Sequence, residues 1–154
     1  MLIETFIRKL LRLKAHTVTS VEVSDACMLV HIDRLGQRLL RCGVCRQRCM
    51  DVHDIRKERE WRDLSMRNLP LKLRYRPSRV ACPRCGVRVE DFPWAEPWAR
   101  VTTALFIAVA KLARELSWQA AACQYGLNWK SVASMGCRAG TARFLLQPMP
   151  QLDT

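Results

Sequence analysis

Two Cys-x-x-Cys pairs, Cys42-Gly-Val-Cys45 and Cys82-Pro-Arg-Cys85, stand 36 residues apart and constrain the fold more than any other feature. Zinc takes four ligands in a tetrahedron, and two thiolates three positions apart can hold one ion from a single tight turn. Gly43 and Gly86 ease the geometry of those turns. Two such knuckles, each beside a strand, describe a zinc ribbon in which Cys42, Cys45, Cys82 and Cys85 hold one structural Zn2+ ion. The long spacing calls for an inserted hairpin or loop. Four cysteines close the coordination sphere and leave no position for a reactive water, so the expected ion is structural. A redox dithiol would sit in a βαβ pattern, and neither pair does.

The other cysteines fit a different role. Cys49 follows the first pair closely and reads as an exposed bystander, and His53 as a loop histidine. Cys27, Cys123 and Cys137 lie among apolar residues and read as buried thiols. Disulfides are not expected, because no secretory signal is visible. Leu2, Ile3, Phe6, Ile7, Leu10 and Leu11 form the stripe of an amphipathic helix, which Arg8, Lys9 and Arg12 interrupt. The later apolar stretch from Val101 to Ala113 contains Lys111 and falls short of the ~20 residues that span a bilayer. The expectation is a soluble protein of a reducing cytosol, with no membrane partner.

Charge points to a polyanion. The chain holds 26 Lys and Arg against 14 Asp and Glu, a formal net charge of +12. Residues 1–33 sum to zero, residues 34–88 carry sixteen basic and five acidic side chains, and residues 89–154 sum to +1. The cysteine-rich third therefore holds nearly all the excess, and nucleic acid is the natural counterpart.

Periodicity gives the coarse architecture. Residues 17–24 and 27–34 read as two strands around a turn at Asp25-Ala26. The segment from Arg46 to Arg67 is charged and irregular, and reads as a loop or short strands. Leu69, Leu71, Leu73 and Tyr75 alternate with Pro70, Lys72, Arg74 and Arg76, a strand with one apolar and one basic face. Pro70 places it at a sheet edge or a strand start. Phe92-Pro-Trp-Ala-Glu-Pro-Trp98 reads as a linker or corner, with two modules meeting near residue 95. Val101, Leu105, Ala108, Leu112 and Leu116 then recur at helical steps.

The stretch from Trp118 to Cys137 fits a helix-turn-helix unit. Ala122 is small where two helices must touch, and Gly126 tolerates a positive φ in the turn. Leu127, Val132 and Met135 supply apolar anchors for the second helix. Asn128 can cap it, leaving Trp129, Lys130, Ser131 and Ser134 facing outward. In the DNA-binding version of this unit the second helix enters the major groove.

The order of these parts resembles the N-terminal region of transposases of the ISL3 insertion-sequence family. The matching residues are Cys42-Gly-Val-Cys45, Trp61-Arg-Asp-Leu64, Arg79-Val-Ala-Cys82-Pro-Arg-Cys85-Gly86 and the helices from Val101 to Met135. The resemblance covers roughly residues 15–140 and implies binding to double-stranded DNA at an element's terminal inverted repeats. In that family, strand transfer uses three carboxylates holding two metal ions. After Glu115 this sequence has one acidic residue, Asp153. A truncated transposase lacking the DDE catalytic domain, and so not an enzyme, is the expectation.

The sequence thus predicts an α+β chain in three parts. Residues 1–40 form a helix and strand hairpin, residues 41–92 a small antiparallel zinc ribbon, and residues 98–146 the helical helix-turn-helix domain. Arg74, Arg76, Arg79, Arg84 and Arg88 are candidates for phosphate contacts. Lys130, Ser131 and Ser134 are the candidates for base readout, with Asn128 and Trp129 beside them on the recognition helix. Two other readings use the same features: a stand-alone DNA-binding regulator or transposition inhibitor, which could associate with full-length transposase, and a zinc-ribbon protein-docking module.

Overall fold

The computed structural model describes residues 2–36 and 40–138. The chain opens with α1, Ile3–Leu10, which buries Ile7 and exposes Leu2, Ile3, Phe6 and Leu10. Arg12 stops the helix. It takes φ +52, its amide donates to Lys9 O, and Leu13 N reaches back to Arg8 O at 3.1 Å. That pair of bonds is a Schellman motif, built here without the usual glycine.

Two sheets follow. Strands β1, His16–Val23, and β2, Met28–Arg34, form the expected antiparallel hairpin, with a register irregularity between Val18 and Ser20. β3, Val52–Ile55, and β4, Arg59–Met66, lie in the charged stretch that showed no clear pattern. β5, Leu69–Tyr75, buries Leu71, Leu73 and Tyr75 and turns its basic residues outward, as its alternation requires. β6, Ser78–Cys82, and β7, Gly86–Val89, complete the set. The first sheet has the order β1-β2-β5-β4 and the second β3-β6-β7.

The pairing of β2 with β5 is parallel, with Val30 opposite Leu73. Parallel neighbours need a long crossover, whereas antiparallel ones need only a tight turn. Here the crossover contains the first cysteine pair, β3 and β4. The first sheet is therefore mixed, while the cysteine-bearing sheet β3-β6-β7 pairs antiparallel throughout. Residue 40 is no boundary, which corrects the expected division, since residues 16–34 and 59–75 share one sheet. Pro70 sits at a strand start, one residue before pairing with β2 begins at Leu71.

The Phe92–Trp98 segment is core rather than linker. Phe92, Trp94 and Ala95 are buried, and the rings of Trp61, Tyr75, Phe92, Trp94 and His16 pack edge-on or stacked with centroids 4.9–6.0 Å apart. Pro93 and Pro97 bar a regular strand, but the aromatic rings bury large apolar areas regardless of backbone class. The chain accordingly divides into a unit of residues 1–105 and a unit of residues 106–154, ten residues later than expected from composition.

The second unit is helical. α2, Thr103–Leu112, starts in the first unit, where Thr102 Oγ1 accepts from Leu105 N at 3.2 Å, and runs into the second. α3, Trp118–Gln124, and α4, Trp129–Arg138, complete it. Among the described residues, no helix is long and apolar enough to cross a membrane.

Candidate metal centre and nucleic-acid interface

Backbone geometry brings the cysteine pairs together. The second pair lies at the tip of the β6–β7 hairpin, where Cys82 pairs with Gly86, whose φ is +72. The first pair forms a turn closed by Arg46 N to Cys42 O at 2.8 Å and Cys42 N to Gln47 O at 2.9 Å. That turn is laid against the end of β7: Gly43 N donates to Val89 O at 2.9 Å, and Asp91 N to Arg41 O at 2.9 Å. A Cβ on residue 43 would stand 2.6 Å from Val89 O and 2.7 Å from the Pro97 ring. Only glycine fits this approach.

The result is a tight sulfur cluster. The Sγ atoms of Cys42, Cys45, Cys82 and Cys85 all lie within 4.8 Å of one another, and Cys45 and Cys82 are 3.5 Å apart. Metal–sulfur bonds of about 2.3 Å in a tetrahedron put sulfurs about 3.8 Å apart, so this set could hold a metal ion. Val44 N points at Cys42 Sγ at 3.5 Å. Burial works against ionising Cys82, but the amides of Arg84 and Cys85, with the Cys45 and Cys42 thiols, outweigh it and bring the pKa down to about 6. The Cys45 thiol, with burial, pushes Cys85 the other way, so this crowded set parts readily with a first proton but not with all of them.

Cys49 stays outside the cluster and is buried, which corrects its reading as an exposed residue. It packs with Leu40, Val80 and Cys42, and its thiol donates to Gln47 O at 3.5 Å. Burial, with the neighbouring thiols, pushes it up to about 11, so it behaves as a small apolar core residue. His53 is exposed on β3. Cys27 is half-buried. Cys123 is exposed, because α3 turns Ala121 and Ala122 inward instead. The Cys137 side chain lies outside the described residues.

The five arginine candidates separate into two groups. Arg74 donates to Glu60 Oε1 at 2.5 Å and lies 3.6 Å from Glu58, and Arg79 forms a two-pronged pair with Asp54. Arg76, Arg84 and Arg88 are exposed. A buried network was not visible in the sequence: Arg34, Tyr75 and Ser78 converge on Glu90, linking the two sheets beside the cysteine knuckles. Its hydrogen-bonded pairs are 12 to 56 residues apart, and no local pattern marks them.

In the helical unit, Ser117 Oγ accepts from Ala120 N at 3.1 Å and caps α3. Gly126 takes φ +62, and Leu127 N returns to Ala122 O at 2.9 Å, closing the turn. Asn128 Oδ1 accepts from Lys130 N at 3.0 Å and caps α4. Ala122 is fully buried, Leu127 half-buried, and Trp129, Lys130, Ser131 and Ser134 are exposed. Ser134 Oγ donates to Ser131 O at 2.9 Å. The Val132 and Met135 side chains lie outside the described residues.

Comparison with known proteins fits this geometry. Residues 90–135 match the helix-turn-helix domain of transposase family ISL3. The chain is also 30% identical over 99 residues to a Bordetella parapertussis protein described as the transposase for insertion sequence element IS1001. That match covers 64% of this chain but 24% of the relative's length. No solved structure matches. The resemblance to ISL3 transposases therefore holds over residues 90–135, a range that contains α2, α3, the Gly126 turn and most of α4.

Proposed function

We propose that this chain is the DNA-recognition part of an insertion-sequence transposase and binds the terminal inverted repeats without cutting or joining them. The observation that carries the reading is the ISL3 helix-turn-helix match over residues 90–135, together with an α4 whose first two turns present Trp129, Lys130, Ser131 and Ser134 to solvent. In this reading Asn128 holds the first turn of α4 so that its amides can face a phosphate. Lys130 contacts the backbone, and Ser131 and Ser134 meet base edges in the major groove.

The metal is proposed to be one zinc ion held by Cys42, Cys45, Cys82 and Cys85. Bound there, it would cross-link two knuckles that the chain brings together from 36 residues apart. Arg76, Arg84 and Arg88 supply sequence-independent attraction to the duplex, while Arg74 and Arg79 are engaged by carboxylates and contribute less.

Gel-shift titration with terminal-repeat duplex, across a salt series and with or without a chelator, tests the reading. Selective, salt-sensitive binding that the chelator abolishes is the expected result. No binding at low salt by zinc-loaded protein overturns it.

A further inference from the structure

Between the end of β3 and the start of β4 lies a concavity of about 530 Å3, on whose walls stand Arg56, Lys57, Arg59 and the Asp54–Arg79 pair. Asp54 is the one carboxylate among its lining residues, and Arg79 occupies both its oxygens. Glu58, in the same loop, lies 3.6 Å from Arg74. Arg56, Lys57 and Arg59 therefore keep their charges with no carboxylate partner among the described residues.

Arg59 is held rigidly. Its guanidinium donates to Pro97 O at 2.9 Å and Ala99 O at 3.0 Å, and lies 4.8 Å from the centre of the Trp61 ring. Two carbonyl oxygens fix its orientation without cancelling its charge. Burial, then the charges of Arg100 and Arg56, lower its affinity for its own proton. An anion in the concavity would relieve that repulsion. Arg56 is anchored through its amide to Pro77 O at 2.8 Å, while its side chain and that of Lys57 are exposed and free to close on a ligand.

We propose that this concavity is a seat for a backbone phosphate of duplex DNA, with Arg59 as its fixed base and Arg56 and Lys57 as its arms. Planar guanidinium groups match phosphate oxygens in pairs, and Lys57 adds a mobile point charge. None of these three residues stood out in the sequence, where they sit within a run of mixed charge. The inference rests on the DNA-binding reading above and adds a second contact surface, on the cysteine-bearing unit.

The test compares two charge-matched double variants of the full zinc-loaded chain on a random-sequence duplex. Arg56→Gln with Lys57→Gln removes the arms. Lys14→Gln with Arg67→Gln removes the same charge at exposed positions elsewhere. Zinc content and circular dichroism confirm that both fold. Each phosphate contact contributes about 0.9 to the slope of log affinity against log salt, so the first variant, which disables one phosphate seat, should lower that slope by about 1 and lose on the order of tenfold at 0.1 M salt. The second should lose much less. Equal losses, or an unchanged slope in the first, overturn the seat and leave DNA binding standing. No binding by the wild type at low salt overturns the DNA-binding reading and the seat with it.

Discussion

Arg34 at the end of β2 donates to Glu90 just beyond β7 at 2.8 Å, and the two side chains retain 16% and 3% of their exposure. Glu90 Oε1 also accepts from Tyr75 OH at 2.9 Å and Ser78 N at 2.7 Å. One carboxylate thus joins the first sheet to the second and sits one residue beyond Val89, which receives the first knuckle. Removing one partner of such a pair leaves the other charge buried and unpaired. We predict that Glu90→Ala lowers unfolding free energy by about 3 kcal/mol, whereas Glu90→Gln, which keeps the shape and one acceptor, costs less. Urea unfolding of the zinc-loaded protein measures both; equal costs would show that loss of the charge alone sets the penalty and that shape and the retained acceptor add nothing.

His16 is buried against Tyr75 and Trp94, and neither ring nitrogen has a protein partner. Burial, then the charge of Arg34, lowers its pKa from 6.5 to about 4. The folded chain holds this ring neutral while the unfolded chain protonates it near 6.5. Its contribution to stability is therefore complete above pH 6.5 and is lost as pH falls toward 4. The slope approaches about 1.4 kcal/mol per pH unit within that window. Thiol protonation and metal loss also weaken the fold in acid, so the measurement is a difference: His16→Phe should show a shallower fall between pH 6.5 and 5 than the wild type. Parallel curves would remove His16 as a cause.

Much of this architecture can be read from local pattern, because local pattern is what strands and helices respond to. Alternation at Leu69–Tyr75, the turn at Asp25-Ala26 and the small residues around Gly126 each act within a few positions. The failures were non-local. Nothing near Met28 or Leu71 announces that they will pair in parallel across 43 residues. β4 was obscure because its inward residues include Asp63, whose carboxylate accepts from the distant Thr102 Oγ1 at 2.6 Å and from Leu64 N. Cys49 and Cys123 exchanged roles because burial depends on which side of a turn or helix faces the core. The clustering of Cys42, Cys45, Cys82 and Cys85 was legible because two such pairs at this spacing are what a four-thiolate site needs.

The β4–β5 turn explains why that hairpin escaped notice and offers a further check. Met66 pairs with Leu69, so the loop is Arg67-Asn68, with φ +50 and +66. Both values belong to a type I′ turn, for which Asn-Gly is the preferred pair. Arginine at positive φ is strained, so Arg67→Asn with Asn68→Gly should raise stability by about 1 kcal/mol. A rise in the urea midpoint without a change in slope is the expected signature; a fall would mean that the Arg67 side chain makes a compensating contact.

Cys82 and Cys49 separate ligand from neighbour. Cys82→Ser removes a proposed metal ligand, and zinc content should fall from about one ion per chain to near zero, with loss of the folded knuckles. Cys49→Ser changes a buried thiol that bonds Gln47 O and should keep the ion, at a modest cost in stability. Zinc retained by Cys82→Ser would refute the assignment, and zinc lost from Cys49→Ser would place Cys49 among the ligands.

The recognition helix should divide its contacts by chemistry. Lys130 is exposed at the first turn of α4, and a phosphate contact there is indifferent to sequence. Lys130→Gln should therefore weaken binding to terminal-repeat and random duplexes alike, lowering the salt slope by about 1. Ser131→Ala removes a hydroxyl but no charge; if it meets a base edge, it should weaken the terminal-repeat complex by about 1 kcal/mol and leave random DNA unaffected. Arg74→Gln, whose guanidinium is already held by Glu60, should do little to either. Fluorescence-anisotropy titrations on both duplexes give all three answers. A selective loss from Lys130→Gln, or a uniform one from Ser131→Ala, would reverse the proposed roles of these residues in α4.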